Sequence, residues 1–291
     1  MKILVTGSTG RIGRAIYVRL CRDHDVVGLD RAPSSTADLV GDLADEVLVA
    51  RAVQGVDAVI HTAALHAPQV GHVPDDAFEA INVRATQALA ERAARSGVRR
   101  FVFTSTTALY GSASTPPDAA GWVDETVVPA PTSIYHRTKL AAERALEEIA
   151  HRQGLAVTVL RMSRCFPEPA ALMAGYRLHR GVDARDVARA HALALEATDP
   201  GLRRYVISGA TPFAHDDVGE LLRDAPAVLA RRAPALIEAF ARRGWPLPRS
   251  IDRVYVPALA ERELGWHARF GFAEVLAMLD SGSSDVIPPR R

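Results

Sequence analysis

The chain has 291 residues, 48% of them hydrophobic and 24% charged, with a formal net charge of +1. That length can bury a large core, as one large domain or two small ones, and the even charge balance argues against a dedicated nucleic-acid binder. No run of about 18 apolar residues occurs, so no membrane-spanning helix is expected.

Strand-like residues begin at Ile3 and leave no room for a signal peptide, which predicts a cytoplasmic protein. Cys21 and Cys165 fall in no metal or redox spacing, which fits a reducing compartment.

Short β-branched runs alternate with longer helical patterns along the first two thirds. Strands are predicted at Lys2–Thr6, Val26–Asp30, Ala58–Thr62, Phe101–Ser105, Ala156–Leu160 and Arg204–Ser208. Helical patterns cover 11–22, 44–53, 75–96, 134–152 and 184–198. Such alternation predicts an α/β fold, a Rossmann-like doubly wound parallel sheet wrapped by helices. After Gly209 arginine and proline increase and no strong strand signal appears. The expected organisation is a dinucleotide-binding domain over 1–161 and 183–208. A small, mostly helical substrate region takes 162–182 and 209–280, and 281–291 is a flexible tail.

The first strand runs into TGSTGRIG, with Gly7, Gly10, Arg11, Ile12 and Gly13 at the turn into a helix. The turn needs residues without Cβ, and a diphosphate needs backbone N–H groups and a helix N-terminus close by. Asp30 ends the second strand, where a carboxylate accepts hydrogen bonds from ribose hydroxyls and repels a 2′-phosphate. NAD is therefore expected over NADP. Arg31, next in sequence, is the one residue that argues for the phosphate.

Tyr135 and Lys139 are four apart on a predicted helix opening near Ser133, which puts both on one face. A free tyrosine has a pKa of about 10, too high for a base at neutral pH, and a neighbouring ammonium favours the phenolate. The segment FTSTTALYG, residues 103–111, leaves a core strand in hydroxyl residues, among them Thr106 and Thr107. Ligand sites in open α/β sheets lie at such strand ends. A hydroxyl there can hold a substrate oxygen while the tyrosine exchanges its proton.

Together these motifs resemble the extended short-chain dehydrogenase/reductase family, often called NAD-dependent epimerase/dehydratases, most specifically over residues 1–165. TGSTGRIG resembles its glycine loop. Asp42–Leu43 resembles its adenine-contacting pair, and His61–Thr–Ala63–Ala64 its cofactor-lining segment. Asn82 resembles the asparagine of its Asn–Val–x–Gly–Thr helix. Tyr135 and Lys139 match its catalytic pair, and alignment on Tyr110–Gly111 places its catalytic hydroxyl at Thr106. Asp186–Val–Ala and Leu264–Gly–Trp266 resemble two later signatures.

The resemblance implies an enzyme in which Thr106 and Tyr135 hold the substrate oxygen. Tyr135 takes the hydroxyl proton while a hydride passes to nicotinamide. It also implies a homodimer through the helices at 75–96 and 134–152, whose apolar stripes include Ala88, Leu89, Leu140, Leu146 and Ile149. Dehydrogenase and epimerase share these residues, so both readings stand. A non-catalytic dinucleotide-binding regulator is the third, disfavoured by the Tyr–Lys pair.

The segment Arg161–Pro169 departs from the sugar-nucleotide epimerase pattern and is more like the Phe–Pro–Glu–Pro segment of hexuronate dehydrogenases. The stretch that follows, Ala170–Val182, is short. A small sugar-like or hydroxy-acid substrate is therefore expected, with Arg164 and Arg177 as contacts for an anionic group, and His66 and Thr107 as further contacts. No metal is expected, because His66 and His72 have no third ligand near them.

Overall fold

The computed structural model describes Met1–Pro289. Its strands are β1 (Lys2–Thr6), β2 (Asp25–Asp30), β3 (Leu39–Val40), β4 (Ala58–His61), β5 (Arg100–Thr106), β6 (Gly121–Val123), β7 (Ala156–Met162), β8 (Gly201–Ile207) and β9 (Arg253–Tyr255). Its helices are α1 (Arg11–Leu20), α2 (Glu46–Ala52), α3 (Asp75–Phe78), α4 (Ala85–Arg95), α5 (Ile134–Gln153), α6 (Ala170–Tyr176), α7 (Ala184–Ala194), α8 (Val218–Arg223), α9 (Ala225–Arg232), α10 (Pro234–Arg242), α11 (Ala258–Leu264) and α12 (Phe272–Asp280).

A seven-stranded, mostly parallel sheet has the order β3-β2-β1-β4-β5-β7-β8. Ile3 pairs with Val26 on one side and Ala58 on the other, both in parallel. The chain therefore winds outward from β1 in both directions, and β1 and β4 form the switch point where such sheets bind ligands.

The chain divides into two compact units. The first comprises 1–109, 131–161 and 187–205. Leu4, Val59, Phe101 and Val157 from its strands are buried with Leu48 and Val49 of α2, Leu89 and Ala93 of α4, and Leu146 and Ile149 of α5. Continuous apolar runs in the strands reflect this cover.

The second unit comprises 110–130, 162–186 and 206–291, of which 206–289 lies within the described residues. Here 110–130 departs from the expected division, because Gly121–Val123 pairs in parallel with Arg253–Tyr255 and Ala120 N–H donates to the Val218 carbonyl. Each of those strands has three residues, too few to show period-two alternation. Its core gathers Leu221, Leu229, Leu236, Phe240, Val254 and Val275.

Within this unit Asp186 accepts hydrogen bonds from the backbone N–H groups of Arg269 and Phe270, each at 3.0 Å. The Trp266 indole donates to the Asp186 carbonyl at 2.9 Å. Two sequence signatures far apart in the chain are thus halves of one clamp. The expected flexible tail is anchored as far as it is described. Val286 is buried, and Ile287 exchanges backbone hydrogen bonds with Glu168 and Ala170. Arg290 and Arg291 lie outside the described residues.

Two helical expectations change. The pattern over 75–96 is interrupted by a π-helical stretch, Glu79–Arg84, that contains Asn82. The apolar stripe assigned to a partner copy lies mostly inside this chain, since Leu89, Leu146 and Ile149 are core residues. Of the five, Ala88 is exposed and Leu140 half-buried.

Candidate functional site

The glycine loop joins β1 to α1 in the first unit. Gly7 has φ +69°, and a Cβ there would stand 2.6 Å from the Ala63 nitrogen, so β1 and the end of β4 approach too closely for any side chain. A Cβ on Gly13 would meet the Gly7 carbonyl oxygen at 2.0 Å, so this glycine lets α1 pack on the loop.

Gly10 is different. It is exposed, its φ is −67°, and a Cβ would meet nothing closer than the Gly7 oxygen at 3.4 Å. Neither packing nor backbone conformation requires glycine there. A backbone that a diphosphate must approach does require it, and this is the observation on which a dinucleotide fits the site.

Asp30 stands beside this loop, its carboxylate accepting from Thr9 N–H at 3.0 Å and Ala32 N–H at 3.1 Å. The exposed Arg31 lies 3.8 Å from the Asp42 carboxylate. Leu43 packs against the core edge, and Ala63 and Ala64 are half-buried. These residues would hold the adenosine half of NAD. Arg11 and Ile12 open α1.

Asn82 is buried, and its amide is engaged by protein. Oδ1 accepts from Leu65 N–H at 2.8 Å, and Nδ2 donates to the Leu65 carbonyl and to Thr138 Oγ1. It braces the segment after β4 against α5 and has no donor left over for a cofactor.

The chemistry gathers at the end of β5. Thr104, Ser105 and Thr106 are consecutive hydroxyls with three separate partners. Thr104 Oγ1 bonds His191 Nε2 of α7 at 2.8 Å, and Ser105 Oγ donates to Glu143 of α5 at 2.6 Å. The Thr106 side chain lies beside the Tyr135 phenol and draws its pKa down. Ser133 caps α5, accepting from His136 N–H, and so sets where the helix carrying Tyr135 begins.

Lys139 is buried one turn later. Its ammonium donates to the Thr104 carbonyl at 2.6 Å and lies 3.9 Å from the Phe103 ring centroid. Burial pulls the lysine down to about 7, against an upward pull from Glu143. Burial pushes Tyr135 up to about 12, and the Thr106 hydrogen bond draws it back down. The expectation that Lys139 lowers the phenol is thus corrected. The ammonium is turned to a backbone carbonyl, and the downward influence comes from the hydroxyl instead.

His61 is buried between two hydroxyls, with Nδ1 2.6 Å from Thr6 and Nε2 2.8 Å from Thr86, and burial lowers it to about 3. It is a neutral strut of the core.

The expected substrate contacts separate. His66 is exposed, and Thr107 is buried just after β5. In the second unit Arg164 is half-exposed and pairs with Glu168. Arg177 is buried and pairs with Asp183 at 3.0 Å, and Asp183 also binds Arg185. A guanidinium buried on its own counter-ion is not presented to an anionic ligand, so the structure gives Arg177 a packing role.

Sequence reasoning missed Glu143, Arg161 and Arg204. Glu143 is fully buried and accepts from Arg161 Nη2 at 2.7 Å and Arg204 Nε at 3.2 Å as well as from Ser105. The signal was its spacing, since Tyr135, Lys139, Glu143 and Glu147 recur every four residues on α5.

Comparison with known proteins bears on the family. The model of the NAD dependent epimerase/dehydratase family matches residues 3–169. A 3 beta-hydroxysteroid dehydrogenase/Delta 5→4-isomerase of Mycobacterium tuberculosis is 35% identical over 156 residues, covering 49% of this chain and 41% of that protein. Sterol demethylase protein B of Methylococcus capsulatus is 31% identical over 258 residues, 77% of this chain and 73% of that protein. Among solved structures, MoeE5 in complex with UDP-glucose and NAD is 25% identical with a TM-score of 0.70, covering 95% of this chain and 96% of the other.

The matched stretch spans about two fifths of the length of the first curated relatives, 39% and 41%. The glycine loop, the strand order and the family match converge: the chain belongs to the NAD-dependent epimerase/dehydratase family, and NAD is its cofactor.

Proposed function

We propose that this protein is an NAD-dependent oxidoreductase acting on a secondary alcohol or ketone of a small, sugar-like or hydroxy-acid substrate. The observation that carries this reading is Tyr135 and Lys139 one turn apart on α5, with the phenol beside Thr106 at the end of β5. NAD, when bound, supplies the hydride acceptor.

This chain's residues handle the oxygen and the proton. Thr106 holds the substrate oxygen beside Tyr135 Oη. Tyr135 takes the hydroxyl proton during oxidation and returns it during reduction. The buried Lys139 ammonium, one turn along α5, holds the Thr104 carbonyl and with it the end of β5 that carries Thr106. Gly10 leaves backbone accessible to the diphosphate, and Asp30 accepts the ribose hydroxyls.

Arg164 is the proposed contact for an anionic group on the substrate, supported by its half-exposed guanidinium and the short segment that follows. A thermal-shift screen with NAD present tests the substrate class, because a ligand at a hundredfold its Kd stabilises by about 2.7 kcal/mol. Free sugars, sugar acids or hydroxy acids should raise the melting temperature. A rise confined to nucleotide sugars would overturn the small-substrate assignment.

The second reading, a nucleotide-sugar epimerase that retains NAD, is favoured by the UDP-glucose bound to MoeE5. Mass spectrometry of the purified protein separates them, since an epimerase retains its dinucleotide and a dehydrogenase releases it. We also propose a cytoplasmic homodimer. The location is supported by two cysteines that form no disulfide, and the dimer by what remains outside on α4 and α5, Ala88 and Leu140.

A further inference from the structure

We infer that Glu143 is a positioning residue for the proposed reaction, setting the register of α5 on β5 so that Tyr135 stands at Thr106. The inference rests on the assignment of Tyr135, Lys139 and Thr106 above. Glu143 lies on the same stripe of α5, eight residues beyond Tyr135 and four beyond Lys139. Its carboxylate is fully buried. It receives the Ser105 hydroxyl of β5 at 2.6 Å, Arg161 Nη2 of β7 at 2.7 Å and Arg204 Nε of β8 at 3.2 Å.

One carboxylate therefore ties the helix that carries the proposed base to three neighbouring strands, β5, β7 and β8. Its contact on β5 is the residue immediately before Thr106. A second polar tie from α5 to β5 is Lys139 to the Thr104 carbonyl. Thr104 is in turn held from α7 by His191, whose Nδ1 faces the Val187 carbonyl at 2.8 Å. The end of β5 is thus gripped through successive residues, Thr104 by His191 and Ser105 by Glu143.

A purely structural ion pair would need only the two arginines. The short bond from Ser105 gives a buried hydroxyl its acceptor and at the same time ties α5 to β5 at one height. Proton transfer between Tyr135 and a substrate held by Thr106 needs that height, because displacement of about 1 Å can cost two orders of magnitude in rate. Glu143 also places a negative charge one turn from Lys139, which favours the ammonium form.

Ser105→Ala is the clean variant. It cuts the tie to β5 and leaves Glu143 paired with both arginines, so no buried charge is orphaned. Two readouts are used. The first is the Cζ resonance of tyrosine-labelled full-length protein, with the Tyr135 signal identified by its loss in Tyr135→Phe. The second is kcat for NAD reduction with a free hexose, a hexuronate and UDP-glucose as probes.

The expected result is a shifted Tyr135 resonance and a loss of about tenfold or more in kcat, at a melting temperature close to the parent's. Ser105→Thr should restore both. Glu143→Gln should behave alike, and the double variant should lose no more than Glu143→Gln alone. An unmoved Tyr135 resonance or an unchanged kcat in Ser105→Ala overturns the proposal, as do losses that multiply in the double variant. If Tyr135→Phe is inactive while Ser105→Ala turns over like the parent, only the role of Glu143 falls. If Tyr135→Phe keeps the parent's kcat, the assignment of the site falls and this proposal with it.

Discussion

Gly13 lies against Gly7 so closely that a Cβ on Gly13 would stand 2.0 Å from the Gly7 carbonyl oxygen, while a Cβ on Gly10 would find that same oxygen at 3.4 Å. The three glycines of one loop therefore do different work. Two serve the fold, and one leaves room for a ligand.

The first prediction follows from that contrast. Gly13→Ala should destabilise the protein, because overpacking backbone against backbone costs about 1–3 kcal/mol. Gly10→Ala should leave the stability of the dinucleotide-free protein within about 0.5 kcal/mol of the parent's, as an ordinary surface change does. It should weaken NAD binding by tenfold or more, a loss of about 1.4 kcal/mol. Calorimetry on both proteins is the check, and tight NAD binding by Gly10→Ala would show that the diphosphate lies elsewhere.

Tyr135→Phe removes the proton-transferring hydroxyl and keeps the ring. Turnover should fall by about 10²–10⁴-fold while NAD binding persists. Retention of more than half the activity would sink the assignment of Tyr135. Lys139→Met should impair turnover as well, by removing the ammonium bonded at Thr104.

Cofactor preference should follow Asp30, because a 2′-phosphate would face its carboxylate. NAD should exceed NADP in kcat/KM, and Asp30→Ala should narrow the gap. Arg31 sits 3.8 Å from Asp42, which holds it toward another carboxylate. Equal use of NADP by the parent protein would show that Arg31 governs the site.

Three buried histidines predict acid lability. Burial lowers His61 to about 3, His179 to about 3 and His191 to about 4, from 6.5. As pH falls below about 6.5, the unfolded chain takes up protons that the folded one refuses, so stability falls with pH. Between roughly pH 6 and 4 these three groups together should contribute a slope approaching 4 kcal/mol per pH unit. Urea melts at pH 7 and pH 5 measure it. His191→Gln should flatten the dependence, and an unchanged slope would show that His191 titrates normally in the fold.

The strands and the glycine loop were legible because their signals are local. β1 runs from Lys2 to Thr6 as its apolar run implies, and α5 starts at the Ser133 cap that precedes it. Gly7, Tyr135 and Lys139 announce themselves through backbone sterics and helical spacing. Family likeness then supplied Thr106, which no periodicity marks.

Tertiary structure decided what those residues touch. Lys139 was expected to act on Tyr135, and the fold turns its ammonium to the Thr104 carbonyl. Arg177 was expected at the substrate, and the fold buries it on Asp183. Leu146 and Ile149 were expected on a partner copy, and the fold places them in its own core. Periodicity identifies the face of a helix without naming what covers it, and a charge in the sequence does not show its counter-ion. Glu143, Arg161 and Arg204 are the clearest case. They come from α5, β7 and β8, 18 and 61 residues apart in pairing, and only strand order brings them to Ser105. The sequence by itself determined a dinucleotide-binding sheet with a tyrosine and a lysine on one helical face. The packing of that helix on β5, β7 and β8 determined where the tyrosine stands, because long-range hydrogen bonds to a buried carboxylate exist only once the sheet has formed.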